Sequence, residues 1–352
     1  MANVAQLDQF DEVVDVRTPR EYGEDHVPGA VNRPVLFDDE RARVGTLYKQ
    51  VSAFSGRKLG AALVSRNIGQ HVETSFMDKP RAWRPLVYCW RGGQRSAAMV
   101  HVLREIGWDA RQLDGGYRAY RRAVAAELPL LARRYRLRVV CGLTGSGKTR
   151  LLQALHALGA QVLDLEELAA HRGSVLGNVP DRPQPAQKMF ESGIWWRLRS
   201  FDVSRPVFLE SESKRIGALQ VPDDLTLAMR GSECVWVESD MGVRVQRLKQ
   251  EYAHFLADSA VLAQHLGRLT QLHGHTAIER WKELADRREW DELVRELLER
   301  HYDPAYTRSI TSNYPRLPEA HELRIAGVTE TDLCAAARAL LENAPMLRPA
   351  FP

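Results

Sequence analysis

Cysteine is scarce in this chain: only Cys89, Cys141, Cys234 and Cys334 occur among 352 residues, far apart from one another. Such spacing fits neither a disulfide scaffold nor a zinc site, which needs clustered ligands, and it leaves a thiol free in a reducing compartment. Long apolar runs are missing too. No stretch approaches the roughly 18 uninterrupted apolar residues of a membrane span, and the opening MANVAQLDQFDEVVDV has no charged head leading into an apolar core. The expectation is a cytoplasmic protein with no membrane partner. Neither sign of charge dominates, because 49 Lys and Arg against 45 Asp and Glu leave a net charge of +4. Most of the cations are Arg, whose planar fork holds phosphate through two parallel hydrogen bonds, so the composition permits an RNA partner without requiring one. Internal repeats and low-complexity tracts are absent, although Pro180 to Pro185 reads as a loop.

What is present is a repeated alternation of short apolar runs with helical patterns. Val13 to Val16 reads as a buried strand, Arg17-Thr18-Pro19 as a turn into a helix at Arg20-Glu21-Tyr22, and His26 to Ala30 as a turn into another strand. Leu86-Val87-Tyr88 is a strand ending at Cys89, and a helix is expected from Ser96. Val139-Val140-Cys141 opens a second unit. Alternating strands and helices imply parallel sheets with functional loops at the carboxyl ends of the strands. The length suits two domains, expected at 1–128 and 129–352, with a helical C-terminal part in the second. There, Trp290, Leu293, Val294, Leu297, Leu298 and His301 recur at helical spacing as a core stripe, and Asp303-Pro304 is expected to stop that helix.

Two loops carry chemistry. Cys89 is followed by Trp90-Arg91-Gly92-Gly93-Gln94-Arg95. A thiol attacks only as thiolate, a form that helix N-terminal amides and cations favour. Gly92 and Gly93 would let amides turn inward, Arg91 and Arg95 add positive charge, and the following helix points its dipole at the loop. The bland alternative is a small buried hydrophobe at a strand end. The second loop, Gly142-Leu143-Thr144-Gly145-Ser146-Gly147-Lys148-Thr149, fits GxxxxGK[ST] in full and sits between a strand and a helix. Its amides converge on phosphate, Lys148 supplies charge and Thr149 can ligate Mg²⁺. Asp164, Glu166, Glu210 and Glu212 end apolar runs and either serve a metal site or cap helices. ATP is the default ligand of such a loop, and no tightly bound cofactor is expected beyond possible Mg²⁺.

Asp15 to Tyr22 with His26 to Ala30 resembles the N-terminal signature of rhodanese-like sulfurtransferases, and Cys89 stands where their persulfide-forming cysteine stands. The loop departs from many single-domain members, being Cys-x5-Arg rather than Cys-x4-Arg. That is also the spacing of protein-tyrosine phosphatases, although Tyr88 replaces their usual preceding His. The longer loop would admit a phosphate-sized anion such as selenophosphate.

Taken whole, the chain resembles the tRNA 2-selenouridine synthase family. The matching segments are Val44 to Gln50, Tyr88 to Gly93, Leu113 to Arg122, Gly142 to Thr149, Leu165-Glu166, His171 to Ser174, Glu210 to Ser213 and His301 to Tyr306. The resemblance implies a rhodanese-like parallel-sheet domain followed by a P-loop NTPase-like α/β domain. It also implies a two-stage reaction on the wobble 2-thiouridine of tRNA: geranylation of sulfur by geranyl diphosphate, then replacement by selenium from selenophosphate. Cys89 would carry selenium as S-selanylcysteine with Arg91 and Arg95 binding selenophosphate, and the P-loop would hold the diphosphate. Met189, Phe190, Ile194, Trp195 and Trp196 are candidates for a geranyl pocket beside the P-loop, or for core. Arg118, Tyr120, Arg121, Arg122, Arg133, Arg134, Tyr135, Arg136 and Arg138 are candidates for tRNA contact, or for a solvated helix face. A Cys-dependent phosphatase or sulfurtransferase fused to an NTPase is the alternative enzyme, and an RNA-binding protein with an inert rhodanese-like domain the non-catalytic one.

Overall fold

The computed structural model describes residues 1–173, 177, 179, 182–253 and 259–342. Ser174 and Pro180, named above, lie outside them. The chain divides into two units, one of Met1–Leu130 with Pro185–Trp196, the other of Leu131–Gln184 with the chain from Arg197 onward. The expected division at 128/129 had put 185–196 in the second domain. The segment belongs to the first because its polar groups find their partners there: the Trp195 indole donates to Glu127 at 2.9 Å and the Ser192 hydroxyl to Asp25 at 2.8 Å.

In the first unit, strands β1 (Glu12–Asp15), β2 (Val31–Asn32), β3 (Pro85–Tyr88) and β4 (Arg111–Gln112) form a parallel sheet in the order β2-β1-β3-β4. Helix α1 (Pro19–Glu24) starts at a capping box: Glu21 N–H donates to the Thr18 hydroxyl, and Thr18 N–H donates to the Glu21 carboxylate. Helices α2 (Asp38–Gln50) and α3 (Ala53–His71) make an antiparallel hairpin between β2 and β3. Helix α4 (Gln94–Ile106) follows β3 and buries Met99, Val100 and Leu103 against Val14, Val16 and Val87. Each such side chain contributes about 1.5–3 kcal/mol on burial. Helix α5 (Gly116–Arg134) closes the unit and crosses the boundary at 130/131.

The second unit is built on a five-stranded parallel sheet, β11-β10-β5-β7-β6. Strand β5 (Leu137–Cys141) is central and wholly buried, which its apolar run requires of a strand covered on both faces. It is followed by α6 (Lys148–Ala157), β6 (Gln161–Val162) and α7 (Leu165–Ala169), then, after α8 (Gln187–Arg199), most of which belongs to the first unit, by β7 (Val207–Glu210), the short ribbon β8 (Arg215–Ile216) with β9 (Leu219–Gln220), α9 (Asp223–Arg230), β10 (Glu233–Glu238) and α10 (Met241–Glu251). Helices Ser259–Gly267, Thr270–Asp286, Trp290–Leu297 and Asp303–Asn313 come next, then β11 (His321–Arg324) and a last helix, Glu330–Glu342. The stripe Trp290, Leu293, Val294, Leu297 and Leu298 packs into helical cores as expected, whereas His301 is half-buried and lines a cavity. Pro304 does not stop the chain's helical course. A π-helical turn, Leu298–Tyr302, with helical dihedrals at Tyr302 and Asp303 leads straight into Asp303–Asn313, and this wider turn accommodates the proline that an unbroken α-helix would exclude. Among the described residues no helix is long and apolar enough to cross a membrane.

Candidate functional site

Cys89 lies just past the carboxyl end of β3, 3% exposed. Its sulfur accepts from Gly93 N–H at 3.2 Å and from the Ser96 hydroxyl at 3.1 Å. The Ser96 proton is directed there by what surrounds it. The Gly93 carbonyl, its other acceptor at 3.2 Å, already receives the Gln112 side-chain amide and Ala97 N–H, both at 3.1 Å. Gln112 also holds the Gly92 carbonyl at 2.7 Å. The N-terminus of α5 takes two more carbonyls, with Tyr117 N–H on Cys89 O and Arg118 N–H on Trp90 O. At Gly116 (φ +55°) a Cβ would stand 2.3 Å from the Cys89 carbonyl, so only glycine lets the two backbones meet. With these carbonyls bonded to α5 and Gln112, the loop turns the Gly93 amide toward the sulfur.

Of the two arginines expected beside the thiol, Arg91 is exposed on the loop. Arg95, in the first turn of α4, instead pairs with Glu21 at 3.0 Å. Burial pushes the Glu21 carboxyl up, but the Arg95 hydrogen bond and charge, with Thr18 N–H, hold it below its ordinary value. Arg95's charge is therefore answered by a carboxylate. An anion held in the loop, selenophosphate or the phosphate of the phosphatase reading, would thus compete with Glu21 for this side chain. Ser96 and Gln112 were missed; nothing at Gln112 in the sequence signals its role, since it acts from the neighbouring strand β4.

The P-loop connects β5 to α6, with Gly142, Gly145 and Gly147 at φ +155°, +76° and +97°. Two buried arginines of α10 brace it from behind: Arg244 Nε donates to Thr144 O at 2.9 Å, and Arg247 to Gly145 O at 2.8 Å. Arg244 in turn pairs with Asp303. Pulling the Thr144 carbonyl outward points the N–H of Gly145 the other way across a trans peptide, alongside the unpaired first amides of α6. Lys148 Nζ lies 3.0 Å from Gly142 O and 5.1 Å from the centre of the Tyr306 ring.

A cavity of about 660 Å³ opens in front of this loop. Thr144, Gly145, Lys148, Thr149, Arg150 and Arg172 line it together with the carboxylates of Glu166, Glu210, Glu212 and Glu251 and with Leu248, Tyr302, Ala305, Tyr306, Ile310 and Tyr314. The buried Ser146 Oγ and Glu210 Oε1 have no hydrogen-bond partner among the described residues. One carboxylate oxygen each from Glu166, Glu210 and Glu212 lies within 4.8 Å of the others, and Glu166 accepts from the Thr149 hydroxyl at 3.4 Å. Burial, then mutual repulsion, pushes Glu166 up to about 10 and Glu212 up to about 8; burial raises Glu210 as well. A hard-oxygen donor set beside a P-loop hydroxyl fits Mg²⁺. Asp164 does not join it, for it caps α7 through Glu167 N–H at 2.8 Å. Glu166 stands on α7, not at a strand end as expected.

Other candidates are redistributed. Phe190, Ile194 and Trp195 are core of the first unit and, like Met189 and Trp196, are absent from the walls of the P-loop cavity among the described residues. The apolar wall comes from the C-terminal helices instead. Arg121 pairs with Glu191 at 2.7 Å, Arg133 with Asp224, and buried Arg138 with Glu233 at 3.4 Å. Tyr120 and Tyr135 are buried, Arg136 half-buried, and only Arg118, Arg122 and Arg134 are exposed without an ion pair among the described residues.

Residues 2–123 match the rhodanese-like domain family, and residues 135–270 match the family described as the tRNA 2-selenouridine synthase AAA domain. Three proteins named tRNA 2-selenouridine synthase are similar to this chain. Those of Nitrosomonas europaea, Bdellovibrio bacteriovorus and Nitrosomonas eutropha are 38%, 37% and 35% identical over 68%, 68% and 74% of it. The matched segments span 63%, 64% and 67% of those proteins' own lengths.

Proposed function

Because the chain belongs to the tRNA 2-selenouridine synthase family, we propose that it converts the wobble 2-thiouridine of tRNA into 2-selenouridine by S-geranylation and then exchange of sulfur for selenium. The observation that carries this reading is the make-up of the P-loop cavity, whose lining combines a phosphate-binding loop and Lys148 with the aromatic and aliphatic side chains of Leu248, Tyr302, Tyr306, Ile310 and Tyr314. Geranyl diphosphate is an anion joined to a hydrocarbon and uses both kinds of group. In the first stage the thiouridine sulfur attacks C1 of the geranyl group. The C1–O bond breaks, diphosphate leaves with the bonding electrons, and the base loses its N3 proton to solvent. Loop amides, Lys148 and Arg172 neutralise the departing charge. Glu166, Glu210, Glu212 and Thr149 are the residues that would hold Mg²⁺, which would supply further neutralisation of the diphosphate.

Alkylation makes the sulfur a good leaving group, as geranylthiol. In the second stage the Cys89 thiolate attacks phosphorus of selenophosphate while Arg91 and the loop amides hold its oxygens. The Se–P bond breaks, and hydroselenide leaves with the bonding electrons, attacks C2 of the base and expels geranylthiolate. Water then hydrolyses the S–P bond to free phosphate, with no change of oxidation state. Trp90, 36% exposed and 5.2 Å from the Tyr117 ring, offers a face on which the unstacked base can lie. The cytoplasm is the expected place of such an enzyme.

Nucleoside mass spectrometry of thiolated tRNA incubated with the protein, geranyl diphosphate and selenophosphate tests the proposal. Wild type should yield 2-selenouridine, Cys89→Ala should accumulate the S-geranyl nucleoside, and Lys148→Ala should yield neither. Wild type that hydrolyses ATP and leaves the nucleoside unchanged would mean that the P-loop serves a nucleotide instead.

A further inference from the structure

From Arg41 to Val72 the chain contains six cations, Arg41, Arg43, Lys49, Arg57, Lys58 and Arg66, and no acid. This stretch is most of the α2–α3 hairpin. Its base is closed by Arg66 and Asn67 of α3 on Glu40 of α2, and is tied to the rest of the first unit by Arg41 pairing with Glu21 and Asn67 donating to Val35 O. The hairpin residues that enter or pack on the core cluster, Val64 and Ile68, both lie toward the C-terminal end of α3. Toward the tip the two helices pack on each other, with Gly56 so close to Tyr48 that a Cβ would come within 2.8 Å of its side chain.

The tip presents Tyr48, Val51 and Phe54 at 48%, 68% and 69% exposure. Among the described residues Arg43, Lys49, Arg57 and Lys58 have no carboxylate at ion-pair distance, and Lys58 Nζ sits 4.9 Å from the centre of the Phe54 ring. Exposed rings interleaved with unpaired cations match the two needs of a single-stranded nucleic acid, stacking for its bases and charge for its phosphates. The hairpin also starts beside the reactive loop. Glu21 bridges Arg41 of α2 and Arg95 of α4, and about 15 Å of helix separates Arg41 from Val51 at 1.5 Å per residue.

We propose that the tip of the α2–α3 hairpin docks the RNA substrate, gripping its backbone with Arg43, Lys49, Arg57 and Lys58 and stacking unpaired bases on Tyr48 and Phe54. This rests on the tRNA reading above and replaces the α5 arginines as the principal RNA contact.

The test measures binding of thiolated tRNA to the full chain over a salt series, for wild type, for Lys49→Ala/Arg57→Ala/Lys58→Ala and for Tyr48→Ala/Phe54→Ala. The charge variant should weaken binding about tenfold at 0.1 M salt and flatten the slope of log Kd against log salt by roughly 2. The aromatic variant should weaken binding about tenfold with the slope unchanged. Both should keep wild-type thermal melting and wild-type alkylation of Cys89, since neither set of side chains touches the core or the loop. Wild-type binding by both variants would overturn the hairpin proposal and leave the tRNA reading standing. Failure of the wild type to bind any tRNA would overturn both. Loss of binding to anionic phospholipid vesicles, with tRNA affinity intact, would make the tip a membrane surface and refute the proposal.

Discussion

The side-chain amide of Gln112 donates to the Ser96 hydroxyl at 2.9 Å, joining a residue of β4 to one of α4 directly beneath the Cys89 sulfur. That bond occupies a lone pair of the hydroxyl oxygen and leaves its proton for the sulfur, 3.1 Å away.

Ser96→Ala removes a hydrogen bond worth about 1.5–3 kcal/mol when its acceptor is charged. Alkylation of Cys89 by iodoacetamide at pH 7.5 should slow roughly tenfold or more. Gln112→Ala should slow it less, by loosening the Gly92 and Gly93 carbonyls. An unchanged rate in both variants would show that this relay does not govern the thiol.

The acids of the P-loop cavity set a pH dependence. In the unfolded chain Glu166 and Glu212 titrate near the ordinary 4.5, whereas in the fold burial pushes them up to about 10 and about 8. Between those limits the folded state binds more protons than the unfolded one, so stability falls as pH rises. In EDTA the melting temperature should drop from pH 5.5 to 8.5, and Glu212→Gln should flatten that fall. Added Mg²⁺ should restore more at pH 8.5, where the carboxylates are charged, than at pH 5.5. Calorimetric or fluorimetric melting decides it.

Asp15 and Arg17 form an ion pair with side chains 0% and 1% exposed, and Arg17 also donates to Asp25 O. Asp15→Ala strands a buried guanidinium and should cost about 3–5 kcal/mol by urea unfolding. A loss under 1 kcal/mol would mean that water reaches Arg17.

Ala305 lines the P-loop cavity from helix Asp303–Asn313. If the cavity takes geranyl diphosphate as proposed, Ala305→Trp should fill it and raise KM for that substrate about tenfold, with alkylation of Cys89 unchanged. Equal impairment of both reactions would point to general damage rather than to a filled site.

The positions of both glycine-rich loops were legible in the residues alone, because each depends on short-range chemistry. Cys89 with Gly92 and Gly93, and Gly142 to Thr149, are contiguous runs whose conformations only glycine-rich sequence permits, and the flanking apolar runs mark strand and helix on either side. The parallel sheets followed from the same local alternation. Helix Trp290–Leu297 is legible from its stripe, whereas Pro304 does not end the helical course, because the π-helical turn Leu298–Tyr302 just before it accommodates the ring.

Partnership was not legible. Whether Arg121, Arg133 and Arg138 face solvent or a carboxylate, and whether Arg95 reaches an anion or Glu21, turns on residues tens of positions away. The same holds for Phe190, Ile194 and Trp195, whose apolar character demanded burial without saying in which core. Arg244 and Arg247 brace the P-loop from about a hundred residues downstream. Local composition thus set which backbone shapes and which chemistry were possible. Folding chose which charges were cancelled, which remained free, and which apolar wall the phosphate loop would face, since those outcomes depend on contacts that no neighbouring residue encodes.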